Sequence, residues 1–184
     1  MIRFMAVIDI REIEIKFSDQ FFFDTNVWLL IFGTISDYQR RDQAMYSKFL
    51  EKIISQDKSI YITSMVVSEF ANVLLRFSFK QWKTKADNFS KEFKKDFVGT
   101  SEYKSSVEVI KSLINNIFSL PVVIKVPDNF NAVNINNIFN NFDFVDFNDA
   151  YIAELSRMND YKVVTNDKDF KLINSYIDIV TSQI

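Results

Sequence analysis

The chain contains no histidine and no cysteine. Zinc sites of the usual ligand set, haem, iron–sulfur clusters, disulfides, Ser-His-Asp triads and thiol nucleophiles are therefore excluded. Gly33 and Gly99 are its two glycines, so neither a P-loop nor a glycine-rich dinucleotide fingerprint can be written. No apolar run approaches the roughly 18 residues of a membrane span, and residues 27–32 are among the longest. The N-terminal stretch is too charged for a secretory signal, so the cytoplasm is the expected compartment. What is present is ordinary for a globular domain: 184 residues, 48% apolar, 22 basic against 24 acidic groups, net charge -2. Polar chemistry in such a chain runs on carboxylates, hydroxyls, amides and cations.

Hydrophobic patterning predicts strands alternating with helices over residues 1–184, a single domain. Residues 2–17 alternate in places and read as one or two short strands of an N-terminal extension. Phe21, Phe22 and Phe23 form a brief apolar run that stops at Asp24, as a buried parallel strand with a polar tip would. Residues 27–32 and 42–54 read as helices and residues 59–63 as a strand. Ser64 is the expected N-cap of a helix bearing Val66, Phe70, Val73, Leu74 and Phe77. Residues 78–119 read as two or more phenylalanine-rich helices, and residues 121–127 as a strand bracketed by Pro121 and Pro127. An Asn-rich stretch, 128–141, has loop and short-helix character. A helix is expected from about 146–148 to 159, strands at 161–165 and 176–180, and a helical turn at 168–174. The expected fold is an α/β sandwich around a mostly parallel sheet.

In such sheets ligands collect at the carboxyl ends of the strands. Asp24 follows the first sheet strand directly, and Asp167 follows the 161–165 strand by two residues, with Asp169 close behind. Asp149 falls in the first turn of its helix, and Glu69 on or beside an apolar stripe. Singly these read as caps, turn residues and a salt-bridge partner. Together they place several acids at one sheet edge, where mutual repulsion raises some pKa values unless a cation intervenes. Oxygen-only ligands select Mg²⁺ or Mn²⁺, whose usual task is phosphoryl chemistry.

Three stretches carry a resemblance: FFFDTNVWL at 21–29, SMVVSEFANVL at 64–74 and NDAYIAELSRMNDYKVVTNDKDF at 148–170. They resemble the PIN-domain nucleases, most closely the VapC-type toxins of toxin–antitoxin pairs. The matched stretches cover about 21–77 and 145–180; residues 78–144 do not align, and the 69–149 interval is longer than in compact toxins. The resemblance implies a Rossmann-like three-layer PIN fold carrying the N-terminal extension at 1–20, and Mg²⁺- or Mn²⁺-dependent cleavage of RNA. It further implies homodimers and a small antitoxin protein that blocks the cleft. Residue by residue it implies that Asp24, Glu69, Asp149 and Asp167 are catalytic metal ligands, with Asp169 a further one. Thr25, Asn26 and Thr165 would orient them by hydrogen bonding.

Charge is unevenly spread. Residues 76–95 hold seven basic groups against Asp87 and Glu92, which leaves 15 basic and 22 acidic groups elsewhere. Arg76, Lys80 and Lys83 are the expected RNA contacts, with interleaved aromatics either stacking bases or packing a core. Two other readings compete: a PIN-fold RNA- or protein-binding module without catalysis, and a haloacid-dehalogenase-type phosphatase. The latter needs a second acid two residues after Asp24, where this chain has Asn26.

Overall fold

Strand β2 (Phe21–Phe23) is three phenylalanines with no exposed surface. Phe21 and Phe23 project to one face of the sheet, where Phe49 meets their rings at 5.5 and 6.4 Å and Trp28 lies 5.1 Å from Phe23. Phe22 projects to the other face and stacks on Tyr161 at 6.3 Å. A strand covered on both faces has no reason to alternate polar and apolar residues. Each buried ring contributes about 2–3 kcal/mol relative to exposure.

The computed structural model describes residues 6–33, 40–173 and 176–184. Around β2 stand β1 (Ala6–Asp9), β3 (Ile60–Ile62), β4 (Val123–Lys125), β5 (Lys162–Val164) and β6 (Asp178–Thr181). Their order is β1-β6-β5-β2-β3-β4, and every neighbouring pair is parallel. Among the described residues six α-helices flank this sheet: α1 (Thr25–Phe32), α2 (Arg40–Ser55), α3 (Ser64–Lys83), α4 (Ser101–Phe118), α5 (Ile135–Phe142) and α6 (Phe147–Asn159). The chain builds outward from β2 through β3 to β4, then crosses back to β5 on the other side of β2. The carboxyl ends of β2 and β5 therefore lie at the point where the strand order reverses. No helix of the described residues is long and apolar enough to cross a membrane.

The expected α/β sheet is present, and its parallel character extends to all six strands. The N-terminal extension contributes one strand among the described residues; β1 pairs with β6 from Ala6↔Asp178 to Asp9↔Thr181. Residues 2–5 of the expected strands and Asn174 of the expected turn lie outside the described residues. One expectation is corrected. Ser64 does not cap α3: Thr63 holds the cap position without a side-chain bond. Instead the Ser64 hydroxyl donates to Asp128, which also accepts from the Met65 amide at 3.3 Å. A carboxylate from a distant loop thus occupies the helix N-terminus, which suits its dipole.

Most of the aromatics from Phe79 to Tyr103 pack among themselves. Phe79, Trp82, Phe93, Phe97 and Tyr103 meet at centroid distances of 5.3–6.1 Å. They pack a π-helical turn (Phe93–Phe97) against α3 and α4, while the side chain of Asn88, in a short 3-10 turn (Ala86–Asn88), donates to Trp82 O at 3.2 Å.

Candidate active site

Asp24 ends β2 and caps α1, and is 4% exposed. Its Oδ1 accepts from the Thr25 amide at 2.6 Å; its Oδ2 accepts from Asn26 Nδ2 at 2.5 Å and from the Thr165 hydroxyl at 2.8 Å. Burial pushes the carboxyl up to about 7, with the charges of Glu69 and Asp167 adding and the bonds from Thr165 and Thr25 opposing.

Glu69 sits half-buried on α3, where Val66, Phe70 and Leu74 supply the buried side. Its Oε2 accepts from the Thr25 hydroxyl at 2.9 Å and from Asn148 Nδ2 at 3.4 Å. Asp149 lies in the first turn of α6, which Asp146 caps by accepting from the Asp149 amide at 3.0 Å. Burial pushes the Asp149 carboxyl up to about 8, and the charges of Asp24, Asp146, Asp167 and Glu69 push the same way. Asp167 follows β5 in a turn whose amides are already satisfied: its own N–H donates to Thr165 Oγ1 at 3.0 Å, and the Asp169 N–H to Asp167 Oδ1 at 2.9 Å. Asp169 itself is exposed at the start of a 3-10 turn (Asp169–Leu172).

Thus Asp24, Glu69, Asp149 and Asp167 share one electrostatic field, and none forms an ion pair with a lysine or arginine of the described residues. Uncompensated carboxylates of this kind, with only oxygen donors, fit a hard divalent cation. Among the described residues no group of three or more acids stands close enough to hold an ion as the side chains are arranged. The Asp24 oxygens instead accept from Thr25, Asn26 and Thr165.

Beside Glu69 a groove of about 680 Å³ runs along α3, lined by Met65, Glu69, Arg76, Phe77, Lys80 and Asn148 among others. Of the three expected RNA contacts, Arg76 and Lys80 line it. Lys83 does not; its ammonium lies 5.5 Å from the Phe79 ring centre. Arg76 also stacks over Phe93 at 4.1 Å, which fixes its guanidinium.

Four contributors went unpredicted. Asn148 and Asp146 hold the start of α6, and Tyr46 and Asn166 hold the turn after β5. The Tyr46 hydroxyl donates to Thr165 O at 2.6 Å and accepts from the Ser182 amide at 3.2 Å. The Asn166 amide donates to Asn26 Oδ1 at 3.0 Å, while its Oδ1 accepts from Ser182 Oγ at 3.0 Å and Gln183 Nε2 at 2.9 Å. Asn148 and Asp146 are readable as neighbours of Asp149; Tyr46 carried no signal beyond an apolar helix face.

A family model described as PIN domain matches residues 21–175. Among solved structures the chain is similar to PAE2754 from Pyrobaculum aerophilum, with TM-score 0.50, 11% identity, and 90% of this chain and 85% of that one covered. It is also similar to VapBC2 from Rickettsia felis, a structure bound to a DNA fragment from their promoter, with TM-score 0.49 and 15% identity over 88% of this chain and 97% of that one. At such identities the likeness to PAE2754 concerns the fold alone. No curated protein matches the chain.

Proposed function

The chain belongs to the PIN domain family, and from that premise we propose that it is a metal-dependent endoribonuclease, the toxin of a toxin–antitoxin pair. The observation that carries the reading is the hydrogen-bonded chain that ties four acids to one sheet edge: Thr165 joins Asp24 to the Asp167 amide, Thr25 joins Asp24 to Glu69, and Asn148, next to Asp149, reaches Glu69. None of the four acids is ion-paired among the described residues. These four would hold Mg²⁺ or Mn²⁺, with Asp169 at the margin. Such an ion supplies Lewis acidity toward a phosphodiester and a more acidic water. The remaining residues position the ligands: Thr25 aims Glu69, Asn26 and Thr165 aim Asp24, and Asn148 steadies Glu69 from α6. With no histidine in the chain, proton transfer falls to water and carboxylates.

Arg76 and Lys80 give the groove beside Glu69 two cations for an RNA backbone, and Phe77 an apolar wall for a base. The motif resemblance supports the toxin role, and with it a cytoplasmic setting, a small antitoxin partner and homodimers. The phosphatase reading finds no support, because Asn26 donates to Asp24 where that chemistry needs an acid.

The test is cleavage of RNA with Mg²⁺ or Mn²⁺, with EDTA and Asp24→Asn as controls. Activity should vanish with EDTA and fall by about 100-fold or more in the variant. Full activity in Asp24→Asn overturns the assignment, and stable RNA binding without cleavage favours the non-catalytic module.

A further inference from the structure

Helix α5 buries Ile138 and Asn141 and turns Ile135, Phe139 and Phe142, spaced i, i+4 and i+7, to the outside. Phe139 is 52% and Phe142 51% exposed, and the flanking loops add Phe130 at 65% and Phe144 at 61%. Several of these rings are joined. Phe142 meets Phe147 edge-on at 5.7 Å, Phe147 lies 6.3 Å from Tyr151, and Phe130 stacks on Tyr151 at 6.2 Å. Phe139, Phe142, Phe144 and Phe147 are thus exposed around the end of α5 and the start of α6, and Phe130 of the loop after β4 is joined to them through the buried Tyr151. Single exposed apolar side chains are commonplace; a contiguous set is a mark of an interaction surface.

Charge indicates what covers it. Residues 126–156 contain Asp128, Asp143, Asp146, Asp149 and Glu154 and not one lysine or arginine. Glu154 is buried and bound to Arg157 at 2.7 Å; the other four form no ion pair with the described residues. The cations that bracket the stretch are engaged, Arg157 with Glu154 and Lys125 over the Phe118 ring at 4.2 Å. A nucleic acid would find no lysine or arginine of this stretch to meet its phosphates. A second copy of the same face would bring more carboxylates and, from residues 126–156, no cation to pair with them. A polypeptide with apolar side chains flanked by basic ones satisfies both features at once.

We propose that the outer face of α5 and the adjoining start of α6 form a docking surface for a basic amphipathic segment of another protein. Its apolar side chains would pack on Phe139 and Phe142, and its lysines or arginines would lie toward Asp143 and Asp146. The surface adjoins the acid centre at Asp146, which caps the helix bearing Asp149, but Phe139, Phe142 and Asp143, the residues varied below, belong neither to that centre nor to the groove beside Glu69.

The probe is a set of synthetic 16-residue helical peptides with leucine at i, i+4 and i+7 and Lys/Arg elsewhere, titrated against the full chain by fluorescence anisotropy. Controls replace every Lys/Arg by Glu or scramble the leucine spacing. The basic peptides should bind at least about tenfold more tightly than either control. Phe139→Ser with Phe142→Ser, and separately Asp143→Lys, should each weaken binding about tenfold. Asp143→Lys leaves the aromatic packing intact and so keeps the test valid if the double variant folds poorly. Equal binding of basic and acidic peptides, or no binding by any, overturns the proposal. So does a dimer by sedimentation that Asp143→Lys or the double variant dissolves, because a second copy then covers the face. Displacement of the peptide by single-stranded RNA overturns it equally.

Discussion

Asp24 ends a strand, caps a helix and faces three other acids, and these positions conflict. The cap and the bonds from Thr25, Asn26 and Thr165 favour a carboxylate, while burial and the charges of Glu69 and Asp167 oppose it and win, leaving the group near 7. Without metal at pH 8, Asp24→Asn should therefore stabilise the fold by about 1–2 kcal/mol, read as a rise of about 2–5 °C in Tm. The gain should shrink at pH 5, where the folded protein already carries the proton. A lower Tm at pH 8 in EDTA would mean that the cap outweighs the repulsion. Tyr46 presents the simpler case of a buried hydroxyl placed between Thr165 O and the Ser182 amide. Tyr46→Phe leaves both groups without it and should cost about 1–2 kcal/mol in denaturant unfolding. Asp24 was legible because an acid after an apolar run is a local pattern. Tyr46 was not, because its partners lie 119 and 136 residues away.

Helix α3 carries the acid centre and the groove on one side. Arg76 and Lys80 stand two and three turns beyond Glu69, which aligns all three along the helix. Measured in EDTA across a salt series, Arg76→Ala and Lys80→Ala should each weaken RNA binding and reduce the salt slope by about 1. Lys83→Ala should change neither, because its ammonium lies against Phe79 outside the groove. An unchanged slope in Arg76→Ala or Lys80→Ala would remove the backbone from this groove. The helix was legible from the spacing of Val66, Phe70 and Leu74. Its cap was not, since Asp128 reaches it from beyond β4. The aromatics after Phe77 show the limit of composition, which cannot distinguish rings that pack on one another from rings that wait for a base.

At the scale of the whole molecule, strand order decides where the acids meet. Alternating strands and helices implied a parallel sheet, yet nothing local says that β5 pairs with β2 and not with β4. That pairing, Phe21↔Lys162 to Phe23↔Val164, brings Asp24 and Asp167 to one edge. The consequence is a stability that depends on pH in a definite direction. Asp24 and Asp149 ionise at about 4 when unfolded but are held at about 7 and about 8 in the fold. Between these limits the folded state binds more protons than the unfolded chain, so stability falls as pH rises. The contribution is complete below about pH 4 and lost as pH passes through 7 to 8. Hydrogen bonds to Arg11 lower the Asp9 pKa and act in the opposite sense, but only at more acidic pH. The metal-free protein should thus melt higher at pH 5.5 than at pH 8.5. Mn²⁺ should raise the melting temperature at pH 8.5, where the acids are ionised, and do little at pH 5.5, where protons compete for the same oxygens. A Tm that rises from pH 5.5 to 8.5 in EDTA, or a Mn²⁺ effect that Asp24→Asn leaves intact, would show that these acids neither repel one another nor hold the ion.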